Sequence, residues 1–162
     1  MKRILFIVAV LSCILFSFQT SSAQEIKRKT IMGTWRLDSI LYDNIKAYST
    51  IKVFGDVDAG CMINSIWTFY GNWDGKILSP MAEGCPTTPQ TLVWSTVKEG
   101  EGNVFGIKPL LAGQKGKQIT QGFKIPIQSV DGKNMVWHET VNLNYKTSHV
   151  TYFFTKTSNK AK

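Results

Sequence analysis

Residues able to do chemistry are few in this chain and lie far apart. His138 and Glu139 are neighbours, and His149 follows on the next predicted strand. A histidine beside a carboxylate could serve acid–base catalysis, and two histidines on adjacent strands could ligate a metal or a haem. No acidic cluster accompanies the histidines, and the sequence has no Gly-x-Ser-x-Gly, His-Glu-x-x-His or phosphate-loop motif. The sequence therefore favours a non-catalytic protein without deciding the point, and predicts no metal and no cofactor.

Glu139 stands out because of the residues on either side of it. Successive side chains of a strand point to opposite faces, so Glu139 shares a face with Trp137 and Val141, while His138 takes the other face. A buried carboxylate is costly unless it is partnered. An interior Glu139 could bind a cationic or hydroxylated group of a ligand, or act as a general base. Two alternatives stay open: the other face of this strand is the inner one, or Glu139 lies at a wet barrel mouth.

The elements that must position these residues are short strands. Turn signals recur at "YGNWDGK", "KEGEGN", "AGQKGK" and "SVDGK", and the runs between them are rich in Val, Ile, Thr and aromatic residues. This pattern predicts an all-β protein with about eight antiparallel strands, enough to close an up-and-down barrel around a small interior. The stretch 43–60 is less regular and is predicted to be a lid or a long loop.

Aromatic residues recur on the predicted inner faces of the strands. They could line a cavity with Glu139 and contact a ligand, or they could fill the barrel completely, and strand alternation does not separate these outcomes. The predicted ligand-contacting aromatic residues are Trp67, Phe69, Trp94, Phe123, Trp137 and Tyr152.

The N-terminus reads as a secretory signal. A basic start is followed by an apolar run over 4–18 and by small residues up to Ala23, so residues 1–23 are predicted to be cleaved. The apolar run is shorter than the roughly 20 residues of a membrane span, so no transmembrane anchor is expected. Lipid attachment at Cys13 is the disfavoured alternative, because the run stays apolar beyond it. A polar lead (24–30), one barrel domain (31–156) and a basic tail (157–162) follow, in a periplasmic or secreted protein.

The formal net charge is +8, yet its distribution argues against nucleic acid. A nucleic-acid-binding protein concentrates its basic groups on one working face. Here the excess lies at the ends, in the run 27–29 and at Lys156, Lys160 and Lys162. We interpret it as solvated termini of a monomer.

Two cysteines, Cys61 and Cys85, remain after the leader. An even number of cysteines in an exported chain predicts a disulfide. A pair of buried free thiols is the alternative. No histidine neighbours either residue, so a zinc site is not expected.

Three segments give the chain its family resemblance: "GTW" at the predicted first strand, "CMINSIWTFYGNWDG", and the final "YFFTK". In this order the chain resembles the lipocalin-like proteins exported by Gram-negative bacteria. The resemblance implies that Gly33 begins the first strand and that Trp35 closes one end of the barrel. It also implies that Lys156 lies across the indole, where the larger family usually has arginine.

The resemblance and the aromatic inventory together lead to one functional expectation. The protein should bind a small apolar or amphipathic molecule in its barrel without catalysis. One alternative is a structural or protein-interaction module with a filled barrel. A second is a haem-binding barrel using His138 or His149, or a small enzyme.

Overall fold

The computed structural model describes residues 25–43, 52–53, 57–120, 122–143 and 146–161. The predicted leader 1–23 with Cys13, the final Lys162 and much of the stretch 43–60 lie outside this range. The structure comprises one helical turn, ten strands and two 3₁₀ turns (Ala59–Cys61 and Gly116–Gln118) in the described residues. The helical turn and strands are α1 (Arg28–Ile31), β1 (Gly33–Asp43), β2 (Lys52–Val53), β3 (Val57–Asp58), β4 (Ile66–Phe69), β5 (Asp74–Leu78), β6 (Gln90–Glu99), β7 (Gly102–Leu110), β8 (Phe123–Val130), β9 (Asn134–Leu143) and β10 (Lys146–Ser158).

Eight of these strands form a closed antiparallel barrel in the order β1-β10-β9-β8-β7-β6-β5-β4. Closure occurs at β1, where Trp35 is paired with Lys156 of β10 on one side and with Trp67 of β4 on the other. The ring of pairing leaves no open sheet edge along its length. The prediction of an all-β antiparallel barrel of about eight strands is confirmed. Strands β2 and β3 pair separately, within the stretch predicted to be a lid or loop.

The two ends of the barrel differ in their connections. Short turns join β4 to β5, β6 to β7 and β8 to β9 at the end where β1 begins and β10 finishes. We call this the closed end, because α1 lies there. The longer connections 79–89 and 111–122 lie at the opposite, open end.

Two strands begin later than their apolar alternation indicates. In "CMINSIWTFY" the strand starts only at Ile66, because Asn64 has a φ of 67° and the chain turns there. In "QITQGFKIPIQ" it starts at Phe123, after the 3₁₀ turn Gly116–Gln118. Gly122, just before this strand, packs closely against β7: a Cβ at this position would lie 2.8 Å from the carbonyl oxygen of Ile107.

Within the ranges that the structure describes, no helix has both the length and the apolar character to cross a bilayer.

Cys61 and Cys85 lie at disulfide-bonding distance and connect the first 3₁₀ turn to the β5–β6 connection. Alkylation of the denatured protein without reductant should therefore leave its intact mass unchanged. Replacing both cysteines with serine should lower the free energy of unfolding by about 3 kcal/mol, since the bond closes a loop of 24 residues' separation in the unfolded chain. Addition of two alkyl groups to unreduced protein would contradict this prediction.

Candidate functional site

The closed end is built around Trp35, whose side chain is fully buried. Its indole Nε1 donates a hydrogen bond to the carbonyl oxygen of Ile31 in α1, at 2.7 Å. The ammonium of Lys156 lies 4.8 Å from the ring centroid and donates to the carbonyl oxygen of Thr30, at 3.0 Å. A cation over an indole gains roughly 0.5–2 kcal/mol. Burial lowers the pKa of Lys156, so this ammonium is partly desolvated by the same packing.

Gly33 makes this packing possible. Its φ of 124° is a conformation that side chains rarely adopt. A Cβ at this position would also collide with the carbonyl oxygen of Ser158 and lie 3.0 Å from Cε of Lys156. The glycine of "GTW" therefore lets β1 start directly against the end of β10. The helical turn α1 falls in the segment that sequence reasoning treated as a polar lead, and it supplies both carbonyl acceptors.

The middle of the barrel holds a cluster of aromatic rings. Centroid distances between neighbouring rings run from 4.4 Å (Trp137–Phe154) to 6.2 Å (Trp137–Tyr152). Phe105 stacks on Trp137 with centroids 4.9 Å apart, and no member is more than 2% exposed. We call this set the aromatic cluster; its members are Trp67, Phe69, Trp94, Phe105, Trp137, Tyr152 and Phe154.

Five of the six predicted ligand-contacting aromatic residues belong to this cluster, where they contact one another. The sixth, Phe123, is only partly buried, at the start of β8. Phe105 and Phe154 were not predicted as site residues. The signal that could have found them is their strand alternation, which places them beside Ile107 and Tyr152 on inner faces.

The indole N–H groups of the cluster differ in their partners. Trp67 donates to Oγ of Ser65 at 2.7 Å, and Trp94 donates to the carbonyl oxygen of Asp74 at 2.9 Å. In the described structure Nε1 of Trp137 is buried with no hydrogen-bond partner. Leaving a buried donor unsatisfied costs about 1–3 kcal/mol.

Burial decreases along β9 towards the open end. The inner-facing Met135 and Trp137 are 0% exposed, whereas Glu139 and Val141 are partly exposed. Glu139 is paired with the buried Val150 of β10, which places its side chain on the inner face. The inner wall thus becomes polar and accessible just beyond Trp137.

Tyr152 holds the carboxylate of Glu139. Its hydroxyl donates to Oε2 at 3.0 Å. Burial raises the pKa of Tyr152 far above its ordinary value, and the negative charge of Glu139 and this hydrogen bond raise it further. The phenol therefore stays protonated and remains a donor to the carboxylate at any physiological pH.

Tyr42 extends the polar group to β1, the neighbour of β10, where it is paired with Val150. Burial raises its pKa, and the carboxylate of Asp58 adds to the shift. Tyr42 in turn acts electrostatically on Tyr152. The open end therefore has two phenols with one partly buried carboxylate, Glu139, and one exposed carboxylate, Asp58, which also accepts a hydrogen bond from the backbone of Gly60; we call Tyr42, Asp58, Glu139 and Tyr152 the polar quartet. Sequence reasoning missed Tyr42 and Asp58, because both lie at the edge of the irregular stretch 43–60.

Apolar side chains also lie towards the open end. They are partly buried and pack on the core beneath them: Val57, Ile63, Phe123 and Val141. Together with the aromatic cluster below, they give the open half an apolar wall with one acidic patch. This arrangement can bury an apolar group while holding a polar one.

The two histidines lie outside the barrel, on the face of β9 and β10 opposite Trp137. Their ring centroids are 5.0 Å apart. Nδ1 of His138 is 3.1 Å from Oγ1 of Thr151, and Nδ1 of His149 is 3.3 Å from Oγ1 of Thr140. The structure therefore brings the histidines together and separates them from Glu139. No group of three or more metal-ligating side chains occurs among the described residues.

A cleft also lies outside, against β6 to β8. It has a volume of about 460 Å³, and its lining includes Val93, Ser95, Gly106, Lys108 and Lys124, with Gly116, Thr120 and Gly122 alongside. No sequence feature pointed to it.

The fold and the quartet define a class: a small closed antiparallel β-barrel with an aromatic middle and an acidic, apolar-walled open half. No family model matches the chain, and neither the curated proteins nor the solved structures contain a significant match to it.

Proposed function

We propose that this protein binds a small apolar or amphipathic molecule in the open half of its barrel, without catalysis. The observation that carries the proposal is the pair Glu139 and Tyr152, a hydrogen-bonded carboxylate and phenol on the inner wall where burial decreases. Burying a carboxylate costs free energy unless the charge is paired and hydrogen-bonded, and a ligand cation would pair with this one. Ligand sites in small barrels combine apolar walls with a few polar groups that set orientation.

The aromatic cluster would serve as the floor of the site. Apolar ligand surface placed against it and against Val141 is removed from water, at about 25 cal/mol per Å². The unsatisfied N–H of Trp137 lies in the ring layer beneath Glu139, two residues earlier on the same strand. A ligand acceptor that reached it would remove the cost of a buried free donor.

The kind of protein proposed is a lipocalin-like protein exported to the periplasm or beyond, and a monomer. The closed end supports this, since Gly33, Trp35 and Lys156 stand in the relation that the family resemblance implies. The pairing distance of Cys61 and Cys85 supports an oxidising compartment.

A structural or protein-interaction module is the second candidate. The mutual packing of the aromatic cluster favours it, because rings that contact each other need no ligand to be buried. The two histidines face outwards, so they do not favour a haem site or an active site in the barrel interior.

Binding of 1-decanol, followed by tryptophan fluorescence and by calorimetry, tests the proposal. We expect saturable binding that Val141→Trp weakens at least about tenfold, because an indole there would occupy the inner wall. Val136→Trp is the matched control, a valine on the same strand whose side chain faces outwards, and it should leave the affinity unchanged. If no apolar probe binds, the filled module is favoured. If Val141→Trp has no effect, any binding belongs elsewhere, the outer cleft first.

A further inference from the structure

We propose that the polar group recognised in the open half is a cation, so that the ligand is an amphipathic primary amine with an apolar tail. This inference rests on the proposed function and goes beyond it by assigning the charge of the ligand.

Glu139 provides the first step. Its Oε2 accepts the hydrogen bond from Tyr152. The ion pairs of the described residues are Arg36 with Asp38 and Lys124 with Glu99, so no described basic side chain pairs with Glu139. A partly buried carboxylate with one oxygen held and no countercharge among the described side chains can receive a positive group.

The rest of the polar quartet supplies the second step. Asp58 adds an exposed carboxylate that acts electrostatically on Tyr42, so both carboxylates of the quartet are negative, although only Glu139 lies on the inner wall of the barrel. Because Tyr152 donates its hydroxyl hydrogen to Glu139, this phenol has no second hydrogen to donate to a ligand. An ammonium group donates hydrogen bonds and accepts none, and it is also attracted to the faces of phenol rings. The chemistry of the quartet therefore matches a cation and opposes a carboxylate.

The contrast with the whole chain is the third step. The protein carries a formal net charge of +8, which attracts anions to its surface and repels cations. A preference for cations would therefore run against the net charge and must arise from local groups. That opposition separates specific recognition in the barrel from non-specific surface binding.

The test compares three probes of equal chain length, decylamine, 1-decanol and decanoate, each below its micelle concentration, by calorimetry at neutral pH. We expect decylamine to bind at least about tenfold more tightly than 1-decanol, and decanoate to bind most weakly. Glu139→Gln should remove the advantage of decylamine while leaving 1-decanol within about twofold. Glu101→Gln, the same change at an exposed position near the closed end, should alter none of the three affinities.

Each outcome has a distinct meaning. Equal affinities for the three probes, or an amine preference that survives Glu139→Gln, would overturn the cation inference while leaving barrel binding intact. If decanoate bound most tightly, the cation inference would be wrong, and the positive net charge of the protein would explain the preference. Failure of 1-decanol and decylamine alike would refute the proposed function itself. Circular dichroism of Glu139→Gln establishes that the variant is folded.

Discussion

Trp35→Ala is expected to lower the free energy of unfolding by about 3–5 kcal/mol, the cost typical of truncating a large buried aromatic side chain. The indole is 0% exposed, and its loss removes three things at once. The barrel loses the ring that fills its closed end. The Ile31 carbonyl of α1 loses the hydrogen bond that Trp35 donates, and Lys156 loses the ring beneath its ammonium. Urea denaturation followed by far-ultraviolet circular dichroism measures the change.

Two further variants separate closure of the barrel from ordinary burial. Lys156→Gln should cost roughly 0.5–2 kcal/mol, the worth of a cation over an indole. Trp73→Ala is the matched control: Trp73 also lies at the closed end under a cation, Arg28, but its side chain is 37% exposed. Its loss should destabilise the protein by less than half as much as Trp35→Ala. A midpoint unchanged by Trp35→Ala would remove the closure role.

In the middle of the barrel, Trp137→Ala should likewise cost about 3–5 kcal/mol, because the ring contacts Phe105, Phe154 and Tyr152. The informative variant is Trp137→Phe. It keeps a ring in the cluster and removes the N–H that has no partner. Removal of this unsatisfied donor offsets part of the free energy lost with the packing.

Trp67→Phe is the matched comparison. Trp67 is equally buried in the same cluster, but its N–H donates to Ser65. We expect Trp67→Phe to destabilise the protein by about 1–3 kcal/mol more than Trp137→Phe, since one change discards a hydrogen bond and the other discards an unsatisfied donor. Chemical denaturation of the two phenylalanine variants gives the difference directly. Equal costs for the two phenylalanine variants would mean that Trp137 has an acceptor after all.

If binding and stability are both measured, the two candidate functions diverge. A ligand that reaches the floor of the open half should raise the melting temperature of the wild-type protein, because it binds only the folded state. A filled module should lose the same stability when a ring is truncated, and no probe should raise its melting temperature.

The sequence by itself determined the elements and much of the wall. Alternation along the last three strands indicated which side chains share a face, since side chains of a strand alternate strictly between two sides. Alternation put Trp137 and Glu139 on one shared face, and the structure shows that this face is the inner one. The pattern of turns predicted the number of strands, and the even cysteine count predicted the pair Cys61 and Cys85.

Only the tertiary structure decided what lies inside the barrel. Whether aromatic rings line a space or occupy it depends on distances across the barrel between residues far apart in sequence, such as Trp67 and Trp137. The tertiary structure also decided the position of α1, whose four residues are too few for a sequence pattern. Its backbone carbonyl oxygens accept hydrogen bonds from Trp35 and Lys156. Strand alternation assigns a side chain to a face, but closure of the barrel sets which faces meet, and it was the pairing of β1 with β10 that brought Tyr42 to the strand carrying Tyr152.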